Sequence, residues 1–249
     1  MELERISREF WRDGFVIIRS LFATDEIKEI EDRIDTYYRT VLPSLKVGEV
    51  FYEDGDSGAI KSMFRLQDHE PYFLDLAWDA RLISIVKSIF SEGETVLKDV
   101  GFFGKAARDG SVTPEHQGNA FNFFEPPLCL KASLAIDDAT AENGVMICQR
   151  GSHKLGVLPH RPSGILGFSQ MLVESLDTAT YPEVPIAMKP GDMALHHTDT
   201  VHHSGPNTSD HFRRMLSMAY RSSKAKHNDQ KLAMVNRARE EMYKSADTG

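Results

Sequence analysis

Two histidine-bearing segments hold the residues of this sequence best suited to chemistry: His116-Gln117-Gly118, and the run Leu195 to Asn207, which contains His196, His197, His202 and His203. On an extended strand, side chains at i and i+2 leave on the same face, so a histidine and a carboxylate at that spacing grip one side of a metal ion together. A histidine from a distant strand completes the two-His-one-carboxylate facial triad of ferrous sites, with three coordination positions left open. Gly118 stands where that carboxylate would be, and glycine offers no ligand atom. An ion held at His116 and a second histidine would keep one further vacancy for something else to fill.

A lone histidine is more often a packed or surface residue than a ligand, but four within one short segment, with a distant partner at His116, favour metal binding. Strands must position them. From Thr95 onward the chain breaks into short apolar runs, Leu130 to Ile136, Gly144 to Cys148, Met193 to Leu195 and Met215 to Tyr220, separated by Gly, Pro and Asp. That texture predicts a mainly β core with flanking helices, a double-stranded β-helix of the jelly-roll or cupin kind, with the site inside the barrel mouth.

The first third reads differently. Residues 2–13 predict a helix stopped at Asp13-Gly14, and Phe15 to Ile18 a buried strand. Thr24 is expected to cap a second helix, with Asp25 and Glu26 in its first turn and Ile27, Ile30, Ile34, Tyr37 and Val41 on its apolar face. Residues 44–62, with glycines and the acids Glu53, Asp54 and Asp56, predict an exposed loop or lid; residues 70–90 carry a helical pattern with Leu82, Ile83, Ile85, Val86 and Ile89 as its apolar positions. Beyond Arg221 the chain is polar and helix-prone, with Leu232, Val235 and Met242 on a weak stripe. The expected organisation is one domain over 1–249: a helix-rich flank to 94, a jelly-roll core over 95–222 and a helical tail over 223–249.

At 249 residues, 41% apolar and 27% charged, the composition is that of a globular protein. A formal charge of -8 argues against a nucleic-acid surface. Cys129 and Cys148, both in apolar runs, predict reduced thiols, and the acidic N-terminus predicts neither secretion nor membrane insertion; the expected location is cytoplasmic, the expected partner a small molecule.

Several motifs together resemble the phytanoyl-CoA dioxygenase family of iron(II)- and 2-oxoglutarate-dependent oxygenases. Phe10 to Ile17 resembles its opening segment, and Thr113-Pro114-Glu115-His116-Gln117 the approach to its first iron ligand. Glu142-Asn143-Gly144 and Arg150-Gly151-Ser152-His153-Lys154 resemble its central signature, and His202-His203-Ser204-Gly205-Pro206-Asn207 with Arg213-Arg214 its second ligand strand and cosubstrate arginine. The resemblance implies iron at His116 and His202, and Arg213 on the distal carboxylate of 2-oxoglutarate, whose geometry a guanidinium matches bidentately. Ser204 is placed to add a hydroxyl; Lys105 resembles a position near the cosubstrate, although a surface lysine is the ordinary expectation.

Gly118 departs from the family's aspartate and resembles the non-haem iron halogenases, in which chloride takes the vacated position. A halide restores both charge and coordination number where a carboxylate would have blocked it. With dioxygen as co-oxidant, the expected reaction is halogenation of an unactivated C–H bond, the protein aiming the substrate carbon at the halide. Three alternatives stand beside it: a hydroxylase whose Asp-to-Gly change is introduced or atypical, a carboxylate recruited from His197-Thr198-Asp199, and an inactive binding module. His153, His196, His197 and His203 are expected around the site rather than on the metal, Asn119 is a weak candidate neighbour of the halide, and packing is the ordinary role of Phe121 and Phe123.

Overall fold

The computed structural model describes residues 2–46, 48–53, 58–165 and 167–246; Asp54 and Asp56 of the acidic run lie outside the described residues, as does the side chain of Met242. Helix α1 (Glu2–Asp13) buries Ile6 and Phe10 and ends at Gly14, whose φ of +90° turns the chain into strand β1 (Phe15–Ile18). A side chain at 14 is doubly excluded, because a Cβ there would lie 2.6 Å from His153 Nδ1 and from Thr200 Oγ1.

Helix α2 (Thr24–Thr40) buries Ile27, Ile30, Ile34 and Tyr37, as its periodicity predicts, but Thr24 is not its cap. Ala23 occupies that position, and its N–H donates to the Glu26 carboxylate at 2.7 Å. The expected exposed loop over 44–62 instead contains strands β2 (Val50–Tyr52) and β3 (Ile60–Met63), with Phe51 and Glu53 buried. The helical pattern over 70–90 forms two helices: after the short α3 (Leu66–His69), α4 (Pro71–Ala77) stops at Trp78, and Asp79 Oδ1 accepts the Arg81 N–H at 2.9 Å to start α5 (Ala80–Ile89).

The remaining strands are β4 (Thr95–Lys105), β5 (Thr113–His116), β6 (Phe124–Glu125), β7 (Cys129–Ala135), β8 (Met146–Gln149), β9 (His160–Ile165), β10 (Phe168–Leu172), β11 (Glu183–Pro185), β12 (Met193–His197), β13 (His202–Ser204), β14 (Arg213–Ser222) and β15 (Lys226–His227), followed by helix α6 (Asp229–Ala246). They form an antiparallel seven-stranded sheet in the order β1-β12-β7-β14-β4-β3-β2, a four-stranded sheet β11-β8-β13-β5, and the pairs β9-β10 and β6-β15. This is the jelly-roll arrangement expected from the strand texture.

Alternation along the large sheet divides its residues between two tasks. Even positions, among them Val100, Phe102, Leu130, Ala132, Leu134, Leu216 and Met218, join Ile30, Phe73 and Leu82 of the helices in the main core. In β4, β7 and β14 the odd positions face the other way, toward the small sheet; in β12 the parity is reversed, with Met193 and Leu195 in the core and His196 on the cavity side. Leu134→Ala is therefore expected to cost about 2–5 kcal/mol, seen as a lower denaturant midpoint at unchanged slope. Cys129 and Cys148 are free and buried; burial pushes the Cys129 thiol up to about 12 and the Cys148 thiol up as well, so both stay protonated.

Candidate functional site

Between the two sheets lies a cavity of about 550 Å³, and its wall includes His116, Gly118, His202, Ser204, Arg213 and Lys105. His116 and His202 are direct cross-strand partners of β5 and β13, with ring centroids 4.1 Å apart. Each Nδ1 lies 2.9 Å from the main-chain carbonyl two residues back, Pro114 for His116 and Thr200 for His202. A carbonyl can only accept, so Nδ1 carries the proton and Nε2 keeps its lone pair for a metal. Burial, reinforced by the neighbouring His202, holds His116 well below the usual imidazole range; burial likewise brings His202 down to about 4. Both rings are neutral at physiological pH, the ligand form.

His116 ends its strand, and Gly118 opens a 3-10 turn over Gly118–Phe121 rather than continuing the strand as its spacing suggests. The turn is held by Gln117, fully buried, whose Nε2 donates to Gly156 O (2.8 Å) and Asp199 O (2.6 Å) while Oε1 accepts from Leu158 N (2.7 Å). The nearest atoms to a Cβ built on Gly118 belong to Thr198, at 3.6 Å or more, and the backbone there is not left-handed. Nothing steric therefore demands glycine.

Among the described residues, no carboxylate reaches the gap. The buried Asp199 has an unpartnered Oδ1 and, through burial and against a hydrogen bond from Asn119, is raised to about 6, yet it stands outside the cavity wall. His197, the other end of that His-x-Asp, accepts the Asp199 N–H at 3.0 Å and packs on Phe10, Trp11 and His153. Among the described residues, no third His, Cys, Asp or Glu atom converges with those of His116 and His202; the one metal-like convergence is Glu115, Glu183 and His203. Asn119 is no halide neighbour either, since its side chain donates to Phe124 O and accepts from Phe124 N. Phe121, for which packing was expected, lines the cavity, and Phe123 takes a φ of +48° outside any strand.

One end of the cavity is built for an anion. Arg213 and Lys105 are cross-strand partners on β14 and β4, with 6% and 4% of their surfaces exposed. Lys105 is thus not a surface lysine. Arg213 Nε has no hydrogen-bond partner, and one terminal nitrogen donates to Gly144 O at 3.4 Å. Lys105 Nζ donates to Ser111 O. Burial brings Arg213 down to about 10; burial and then the Arg213 charge bring Lys105 down to about 7, with Glu53 opposing. Two buried, underpaired cations favour a carboxylate that brings compensating charge.

Other residues facing the cavity escaped the sequence reading: Phe51 and Glu53 from the supposed loop, Asp99 and Lys131; His196, expected around the site, also lines it. Lys131 and Ser133 alternate with apolar residues in β7, and that period-two polarity was the available signal.

A model of the phytanoyl-CoA dioxygenase family matches residues 10–215 of the chain. Phytanoyl-CoA dioxygenase 1 of Oryza sativa subsp. japonica is 27% identical over 227 residues, covering 83% of this chain and 75% of that protein. A probable alpha-ketoglutarate-dependent hypophosphite dioxygenase of Stutzerimonas stutzeri is 25% identical, covering 88% and 78%. Among solved structures, the epimerase SnoN in complex with Fe3+, alpha ketoglutarate and nogalamycin RO superposes with a TM-score of 0.75 at 22% identity, over 94% of this chain and 89% of that one.

Proposed function

The chain belongs to the phytanoyl-CoA dioxygenase family and is a non-haem iron(II)- and 2-oxoglutarate-dependent enzyme, and on that premise we propose that it halogenates a small molecule, with chloride in the position that Gly118 leaves open. The observation that carries this reading is the wall at 118: space for a side chain, none present, and, among the described residues, no carboxylate converging from elsewhere.

The residues fit the group that the family implies. His116 and His202 would hold iron(II) through neutral Nε2 atoms, and the Arg213 guanidinium would pair with the distal carboxylate of 2-oxoglutarate, with Lys105 and Ser204 beside it. Bound iron, with 2-oxoglutarate and dioxygen, supplies the oxidant that removes a substrate hydrogen. Phe168 and Phe121 stand edge-on to the His116 ring, with centroids 4.5 and 6.0 Å away, and shield that side of the site from water.

The test is an anaerobic titration of the iron(II)–2-oxoglutarate protein with chloride, followed by its visible absorption. A saturable chloride-dependent change is expected. An indifferent spectrum would leave water in the gap and replace halogenation with the hydroxylase alternative; failure to form the complex at all would leave only a binding module.

Lys105 gives the cosubstrate a pH dependence whose sign follows from its shift. Its free-state value is depressed to about 7, and a carboxylate binds the protonated form better. As pH rises through about 7, the free protein loses that proton and binding must recover it. The Kd for 2-oxoglutarate is therefore expected to climb by up to about tenfold per pH unit above 7, and Lys105→Met to flatten the profile, both measured by calorimetry.

A further inference from the structure

Opposite the anion end, the large sheet carries a second charged row across four neighbouring strands. Cross-strand partners place His196 (β12) beside Lys131 (β7), Lys131 beside Ala219 (β14), and Ala219 beside Asp99 (β4). All four face the cavity. The row lies six residues along β14 from Arg213, roughly 20 Å at strand rise, and is therefore distinct from the subsite of the cosubstrate's distal carboxylate.

Lys131 and Asp99 are opposite charges that do not pair. Their strands flank β14, so their backbones stand about 10 Å apart with only the Ala219 methyl between them. The Lys131 ammonium has no hydrogen bond or ion pair among the described residues and rests over the Phe103 ring at 5.0 Å. Asp99 accepts one main-chain N–H, from Arg65 at 2.9 Å, while the Arg65 guanidinium is engaged by Asp68. Burial disfavours the charged form of each, lowering Lys131 and raising Asp99. His196, 2% exposed, leaves both ring nitrogens without partners beside Lys131. Such groups are costly unless a ligand satisfies them.

We infer that the substrate is a small zwitterion of the free amino acid class, with its carboxylate on Lys131 and His196 and its ammonium on Asp99, bridging the gap over Ala219. The inference rests on the proposed function, since it assigns the substrate of that same cavity. A ligand carrying both charges supplies each wall with its missing counter-ion, whereas a singly charged one leaves the other wall unpaired. The small Ala219 side chain leaves room between the two.

The experiment is calorimetric titration of the anaerobic iron(II)–2-oxoglutarate protein with the twenty standard L-amino acids and β-alanine, one at a time, then with the N-acetyl and primary-amide derivatives of the tightest binder. At least one free amino acid is expected to bind saturably, and masking either charge to weaken it by about tenfold or more. Asp99→Asn should erase the discrimination against the N-acetyl form, and Lys131→Met that against the amide. Absence of saturable binding by any free amino acid, or equal affinity for the masked forms in the unaltered protein, overturns the inference whether or not the variants fold. Chloride response is recorded without amino acid. A protein that binds amino acids but ignores chloride therefore refutes halogenation alone, and the reverse result refutes only the zwitterion.

Discussion

Gly118→Asp is expected to reduce the chlorinated product by at least about a hundredfold, close to 2.7 kcal/mol of lost preference, and to divert turnover to hydroxylation. The fold should accept it: a Cβ at 118 makes ordinary contact with Thr198, and the backbone there is one that any L-residue adopts. What changes is the charge and occupancy of the cavity wall, where a fixed carboxylate competes with a diffusible halide for one position. Product analysis by mass spectrometry, with chloride titration of the variant, reads both effects. Undiminished chlorination would show that halide enters elsewhere and would overturn the role given to Gly118. Gly118→Ala, which adds volume without charge, separates lost space from an added ligand.

Arg213→Met is expected to weaken 2-oxoglutarate by about a hundredfold or more, from the loss of two charge-assisted hydrogen bonds worth about 1.5–3 kcal/mol each. The same change should leave the ligand-free protein as stable as before or slightly more so. Arg213 is buried with its Nε unpartnered and one long hydrogen bond to Gly144 O, so its removal relieves an uncompensated charge. Thermal unfolding with and without 2-oxoglutarate checks both halves: an unchanged melting temperature alone, and loss of the stabilisation that the cosubstrate confers. A large loss of stability in the ligand-free variant would mean that Arg213 is structural. Arg213→Lys restores charge but not the planar fork, and should recover only part of the affinity.

The two histidines, Gly118, Ser204 and Arg213 were legible in the sequence because their motifs are local: a two-residue spacing, a dense histidine run and an arginine shortly after it; Lys105 came from the family resemblance alone, against the ordinary expectation of a surface lysine. The structure gathers them around one cavity. The charged row of His196, Lys131 and Asp99 was not legible, because it exists only through register among four strands far apart in the chain. Alternation along β7 marks Lys131 and Ser133 as facing away from the core but cannot say what they face. The stretch from 44 to 62 failed for a related reason. Its glycines and acids have loop composition, and only pairing with β4 makes β3 a strand and turns Phe51 and Glu53 inward. The helical pattern over 70–90 was legible, but not its division at Asp79, whose capping carboxylate begins a new helix.

The imidazoles of His116 and His202 are aimed by the carbonyls of Pro114 and Thr200, groups that every residue possesses, rather than by a neighbouring acid. Gly118 sits just beyond the strand, on a turn secured by the side chain of Gln117. On the proposed reading, main-chain carbonyls orient the two nitrogen ligands, and residue 118 alone sets the third position. On that reading, a single substitution at 118 changes what occupies the position without disturbing how the two histidines are held, so the outcome of the reaction can vary while its scaffold stays the same.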